Sequence, residues 1–316
     1  MNKITRGAAA FAKRVMIGGR RVWFITEGKN HDVRFYDLVM RTSGVLVDGD
    51  YDVRPGESIK SHDGSSAGGK KRLLALHDYY RRKGELVQTS KEGSKAIFFL
   101  LDKDVDNLTN RMRRTPHVVY TEYGDVESEI FARGDIERAL ADTLGLTRAE
   151  AEAARLHLGH PLKDLSELWH QWILLGAITA AHELKVNLKT RGPSLVNSQT
   201  YGPVSQDEVQ KCMALIAANS RYSPSKHAWV ASRLESRRRR GELHRDLKGK
   251  HLPAYIEWRM RAYFRTIRSV DYSGFGPTIS KVMLSTVKFD RSWTGRWVDQ
   301  VEAVLTQQDG ADGPPA

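Results

Sequence analysis

Lys95-Ala-Ile-Phe-Phe-Leu-Leu-Asp-Lys-Asp-Val-Asp106 is the most apolar run of the N-terminal half, and it stops abruptly on alternating acids. Residues 95–101 form the strongest strand candidate in the chain. Upstream, Arg21-Val-Trp-Phe-Ile-Thr26 is a short run rich in β-formers and is followed at once by Glu27. Asp32 to Met40 has helical spacing, with Phe35, Leu38 and Val39 on one face. Val45-Leu-Val47 reads as a second short strand. Residues 48–69, rich in Gly, Asp and Ser, read as a long loop. Lys70 to Lys83 reads as a basic amphipathic helix with Leu73, Leu74, Leu76 and His77 inward. Downstream, a short helix is expected at Leu108–Arg113 and a fourth strand at His117–Thr121. Strands alternating with helices imply right-handed crossovers and a mostly parallel sheet.

Beyond Glu127 the pattern becomes helical. Helices are expected at Ile130–Leu144, Arg148–Leu158, Leu165–Leu184, Asp207–Asn219, Lys226–Arg239 and Leu252–Ile267. The expected fold is therefore α/β, a mostly parallel sheet flanked by helices, followed by a largely α-helical C-terminal region. The division this implies is a catalytic domain over 1–135, a helical basic domain over 136–306, and a disordered tail over 307–316, which is poor in apolar residues.

Composition excludes several classes. At 316 residues and 40% hydrophobic content, the chain is long enough to bury its own core. No apolar run approaches the length of a membrane span, and the charged N-terminus does not read as a secretory signal. A single cysteine, Cys212, excludes an internal disulfide and a cysteine-based zinc cluster. A cytosolic protein is the simplest expectation. The net charge of +12 favours polyanionic partners. Its excess is concentrated between Arg221 and Arg268, where fourteen Lys/Arg face four Asp/Glu.

Acidic groups follow three strand candidates: Glu27, then Asp102, Asp104 and Asp106, then Asp125 and Glu127. In open parallel sheets, ligands bind at the carboxyl ends of strands. On an extended chain, Asp102 and Asp104 would point to one side and Lys103 to the other. Hard carboxylate oxygens of this kind suit Mg²⁺ or Mn²⁺. Such an ion neutralises a phosphodiester and lowers the pKa of a bound water. Glu27 would ligate the metal or act as general base. The plain alternative is that acids follow strands because loops are polar.

These residues resemble the TOPRIM domain, which carries a Glu after its first strand and an Asp-x-Asp after its third, here Glu27 and Asp102/Asp104. The closer likeness is to a branch in bacterial defence loci, the TOPRIM effectors of PARIS anti-phage systems. It rests on Glu27-Gly-Lys-Asn-His-Asp32 followed by Phe35-Tyr36, on Asp102-Lys-Asp-Val-Asp106, on Asp125-Val-Glu-Ser128, and on a late Lys248-Gly-Lys-His251. It covers residues 20–130 firmly and the helical half thinly. The resemblance implies a metal-dependent endonuclease acting on RNA, tRNA among it, or on DNA, as an anti-phage effector. Glu27, Asp102 and Asp104 would hold the metal, Asp106 and Glu127 would support it or a second ion, and Lys250 would assist at the phosphate. A separate ABC-type ATPase is the implied partner, since none is fused here. The missing zinc motif and the short chain argue against a primase or a topoisomerase. A catalytically silent nucleic-acid-binding or regulatory module is the alternative, and a homodimer stays open.

Basic residues complete the expectation. Gly64-Ser-Ser-Ala-Gly-Gly-Lys-Lys71 nearly fits a phosphate loop, but ends in Lys where Ser or Thr belongs. A loop presenting Lys70 and Lys71 is the better reading. Arg237, Arg238, Arg239 and Arg240, with Lys248, are candidates for phosphate-backbone contact; the alternative is a solvated helix end. Trp258, Tyr263 and Phe264 interleave with arginines and offer stacking or core packing. His31 reads as a structural residue at a helix start, and Trp169 and Trp172 as helical core.

Overall fold

The run ending at Asp102 is a strand from Gly93 to Leu101, in a computed structural model that describes residues 6–29, 31–60, 66–90, 93–184 and 192–309. The strands are β1 (Arg6–Gly7), β2 (Val22–Thr26), β3 (Tyr51–Pro55), β4 (Ile59–Lys60), β5 (Val87–Ser90), β6 (Gly93–Leu101) and β7 (Val118–Tyr120). The main sheet runs β3-β2-β6-β5, with β7 also on β6; all its pairings are parallel except β5 with β6. β1 and β4 form a separate parallel pair. The chain is thus α/β, with a largely helical C-terminal region. Among the described residues no helix is long and apolar enough to cross a membrane.

Contacts divide the chain into two compact units. The first takes the described residues within Met1–Asp102, Arg113–Thr121 and Lys288–Ala316; the second takes Lys103–Met112 and Glu122–Val287.

The first unit holds the sheet. All five residues of β2 are buried, and β6 is buried from Ser94 to Leu101. Continuous apolar runs are what a strand covered on both faces requires. One face meets α1 (Ala8–Ile17) and α3 (Lys70–Lys83): Phe11 lies edge-on to Trp23 at 5.4 Å, and His77 edge-on to Phe99 at 5.5 Å. On the other face, Tyr51 reaches Asp37 of α2 (His31–Arg41), and Trp297 of the helix Arg291–Asp309 packs on Phe35 and Tyr36. Lys95 points toward α1, 3% exposed, and donates to the carbonyls of Met16 (2.8 Å) and Gly18 (2.5 Å). A buried cation there satisfies carbonyls left over at a helix C-terminus.

Three local expectations fail. Val45–Val47 is not a strand; the strand is Tyr51–Pro55, inside the stretch read as loop. As an edge strand it buries only Tyr51 and carries Asp, Arg and Pro, so it has no apolar signature. Leu108–Arg113 is not a helix; residues 104–110 form turns, bracketed by Asp104 (φ 51°) and Asn110 (φ 55°) in the left-handed region. Residues 307–309, expected in the tail, belong to the last helix, which continues to Asp309; residues 310–316, like Gly64 and Ser65 of the glycine-rich stretch, lie outside the described residues.

The second unit is helical. The expected helix Ile130–Leu144 is two, α4 (Val126–Arg133) and Ile136–Leu144, because Asp135 caps the second by accepting from the Arg138 N–H. Leu165–Leu184 likewise divides at Trp169 into Pro161–Leu168 and His170–Ala181. Trp169 is 1% exposed and stacks on Tyr201, whereas Trp172 is only half-buried. Arg148–Leu158 begins with a capping box between Thr147 and Glu150. Helices also cover Gln206–Ala217, Pro224–Arg239, Leu252–Phe264 and Phe275–Thr286.

Candidate metal centre

Parallel pairing of β2 with β6 sets Thr26 opposite Leu100, so the residues that follow each strand emerge together. The Glu27 N–H donates to the Leu100 carbonyl at 3.1 Å, and the Asp102 N–H donates to Glu27 Oε2 at 3.3 Å. Glu27 and Asp102, 75 positions apart, are thereby neighbours at the carboxyl end of the sheet. Both are half-buried.

The turn after β2 is tightly held. The Thr26 hydroxyl, fully buried, donates to the Gly28 carbonyl at 2.7 Å. The Gly28 N–H donates to Asp32 Oδ2 at 2.7 Å. A side chain at position 28 would place its Cβ 2.7 Å from Asp32 Oδ1. A side chain there would have to displace the Asp32 carboxyl, and Asp32, 8% exposed, fixes the backbone that presents Glu27. The sequence contained this signal in Glu-Gly-x-x-x-Asp, but only the bond reveals Asp32 as a positioning residue.

The second unit holds the other acids. Asp104 Oδ1 lies 2.5 Å from Lys248 Nζ, and the Asp104 N–H donates to the Gly124 carbonyl at 2.8 Å. With φ at 51°, Asp104 is not on an extended chain, so the alternation argument does not describe it. Lys103 is buried, 5% exposed, and its ammonium donates to the Glu122 carbonyl. Asp106 sits in the following turn, half-buried. Glu127 lies in the first turn of α4, where negative charge complements the helix dipole.

Asp125 is the structural centre of this region. It caps α4, and its Oδ1 accepts from the Ser128 N–H (2.8 Å), the Ser128 hydroxyl (2.6 Å) and the Gly249 N–H (2.8 Å). Burial first, and the charge of Glu127 second, push its carboxyl up to about 6, against the pull of these donors. Gly249 packs so closely that a Cβ there would sit 2.1 Å from the Ser128 nitrogen. The Gly-Lys element is thus a backbone contact between 247–249 and the start of α4. Lys248 is the lysine that reaches an acid, while Lys250 is exposed. Next to them His251 lies edge-on to Trp169 at 5.2 Å, and burial followed by the charges of Lys250 and Lys248 lowers its pKa to about 4.

The arginine run is engaged within the fold. Arg237 Nη1 meets both oxygens of Asp246, at 2.6 and 2.7 Å, and its Nη2 donates to Asn107 Oδ1 at 2.6 Å. Arg238 pairs with Glu167 (2.7 Å), Arg239 with Glu235 (3.1 Å) and Arg240 with Glu242 (2.9 Å). Arg237 is 14% exposed and belongs to the interior, whereas the other three remain 43–78% exposed. Exposed pairs of this kind contribute about 0–1 kcal/mol and are readily exchanged. Lys70 and Lys71 open α3 in the first unit, half-buried and exposed respectively. Trp258 is 44% exposed and contacts Tyr201 at 5.0 Å, while Phe264 is core.

The donors at the sheet end are carboxylates, the chemistry a hard divalent cation takes. Among the described residues, no three His, Cys, Asp or Glu side chains gather closely enough to hold a metal ion by themselves. Glu27 and Asp102 would offer two protein donors, a number Mg²⁺ accepts when it retains waters and binds substrate oxygens.

No protein-family model and no curated protein matches the chain.

Proposed function

We propose that the protein hydrolyses phosphodiester bonds in a nucleic acid, with Mg²⁺ or Mn²⁺ held by Glu27 and Asp102. The observation that carries the reading is the β2–β6 register, which makes two acidic residues from distant sequence neighbours at the carboxyl end of a parallel sheet, the Asp102 N–H donating to the Glu27 carboxylate. When bound, the cation neutralises the phosphodiester and acidifies its water. The chain's part is orientation: Thr26 and Asp32 hold the turn that presents Glu27, and the Glu27 carboxylate orients the Asp102 backbone. The resemblance to defence-associated TOPRIM nucleases extends the proposal to RNA, tRNA among it, or DNA as substrate, to a role as anti-phage effector, and to a separate ABC-type ATPase as controlling partner.

The test is incubation of the purified protein with plasmid and with total tRNA in Mg²⁺, Mn²⁺ or EDTA. Cleavage is expected in metal and is lost in EDTA, in Glu27→Gln and in Asp102→Asn. Failure to cut either substrate, alone or with the partner ATPase, refutes the reading. The Asp104–Lys248 ion pair favours a second reading, a silent nucleic-acid-binding module in which the acid is neutralised by an ammonium. That module would bind in a salt-sensitive way, indifferently to Asp102→Asn, and cut nothing.

A further inference from the structure

Between α2 and the edge strand β3 lies an open cleft of about 770 Å³, into which Arg20, Lys29, Arg34 and Arg41 project alongside Asp37, Asp48 and Asp52. Formal charge there nearly cancels, but the bonding does not. Asp37 accepts from Arg41 at 3.3 Å and from the Tyr51 hydroxyl at 3.2 Å, and Asp48 faces Arg41 at 3.7 Å. Asp52 accepts from Arg54 Nε at 2.8 Å and Nη2 at 2.7 Å. Lys29 meets Glu57 at 2.6 Å. Every carboxylate of the cleft is therefore engaged. Arg20 and Arg34 are exposed, and among the described residues neither has a hydrogen-bond or ion-pair partner. What the cleft leaves available is two guanidinium groups, whose planar forks match phosphate oxygens. Lys29, at its margin, is two residues from Glu27.

We propose that this cleft binds the phosphodiester backbone of a nucleic-acid strand, with Arg20 and Arg34 each holding a phosphate group. The inference takes its ligand class from the nucleolytic reading but not the cleavage itself. It adds a backbone-binding surface in the sheet unit, built from residues other than the arginine run that the sequence brought forward.

The test is anisotropy of a fluorescein-labelled single-stranded oligonucleotide, in DNA and RNA versions, titrated with the full chain in EDTA so that no strand is cut. Arg20→Gln/Arg34→Gln is expected to weaken binding about tenfold and to lower the slope of log K against log salt by about 1.4, the share of two single-strand phosphates. Arg20→Lys/Arg34→Lys keeps most of the slope. Arg82→Gln/Lys83→Gln, a pair equally exposed on α3 and outside the cleft, leaves binding unchanged. All three variants should melt like the wild type, since none of these side chains is buried. Unchanged binding by Arg20→Gln/Arg34→Gln overturns the proposal. So does an equal loss in the α3 control, absence of wild-type binding, or displacement of the oligonucleotide by inorganic phosphate or a mononucleotide at equal phosphate concentration. A protein that binds through Arg20 and Arg34 but never cuts refutes the nucleolytic reading and leaves this one standing.

Discussion

Arg237 is the sharpest case for mutation, because its sequence context and its structural context disagree. Within Arg237-Arg-Arg-Arg240 it looks like one charge among four. In the fold its guanidinium bridges Asp246, whose side chain is fully buried, and Asn107. Burial raises the Asp246 carboxyl above its ordinary value, and Arg237 is the first influence pulling it back down. Contacts of 2.6 and 2.7 Å from one nitrogen to both oxygens are those of an ionised carboxylate, so we regard the pair as charged. Arg237→Ala strands that charge in the interior. Breaking a buried pair this way costs about 3–5 kcal/mol, roughly 10 °C in melting temperature for a unit of this size. The sign with pH follows. Without the guanidinium, the folded pKa of Asp246 rises further above its unfolded value. The deficit is then small below the unfolded pKa and grows as pH rises through the folded one. Melts of wild type and Arg237→Ala at pH 5 and pH 8 read this directly. The double variant Arg237→Met/Asp246→Leu should recover most of the loss, because neither charge is left unpaired. Arg238→Gln/Arg239→Gln/Arg240→Gln, which removes only exposed pairs, should cost no more than about 1 kcal/mol. An Arg237→Ala protein as stable as wild type at pH 8, but weaker in oligonucleotide binding, would refute the reasoning and return Arg237 to the surface.

Gly28→Ala forces Cβ into the Asp32 carboxyl and should lower both stability and metal-dependent cleavage, by about 1–3 kcal/mol in a melt; a fully active, fully stable variant would show that the turn relaxes freely. Lys95→Met leaves the carbonyls of Met16 and Gly18 without their buried donor and should cost about 2–3 kcal/mol by urea unfolding. His251, lowered to about 4, is held neutral by the fold; its contribution is complete above the ordinary histidine pKa of 6.5 and is lost as pH falls toward 4, by roughly 3 kcal/mol in all. His251→Phe should flatten that part of the stability profile, and an unchanged profile would show that the imidazole protonates inside the fold. Isothermal titration with Mg²⁺ should give an enthalpy in the wild type that both Glu27→Gln and Asp102→Asn abolish.

The elements that could be read from sequence are those whose burial is written into consecutive residues. β2 and β6 are covered on both faces, so their apolar runs are unbroken, and α2 and α3 carry faces of helical period. The edge strand β3 went unread because only one of its residues is buried. Helix breaks at Asp135 and Trp169 were hidden because capping depends on a bond, not on hydrophobic period.

The same distinction runs through the candidate site. The alternation of strands and helices, and acids directly after the strands, depend on local order alone, so the α/β class was legible in the sequence, which nominated Glu27, Asp102 and Asp104 alike. Only tertiary structure decided their pairing, because adjacency across 75 positions is set by strand register rather than by spacing. It also decided which charges are available. Arg237 is taken inward by Asp246, and Lys248 rather than Lys250 meets Asp104, while Arg20 and Arg34, scattered in sequence, share one cleft. A charge's role depends on what lies within a few ångströms, and that information is not carried by its neighbours along the chain.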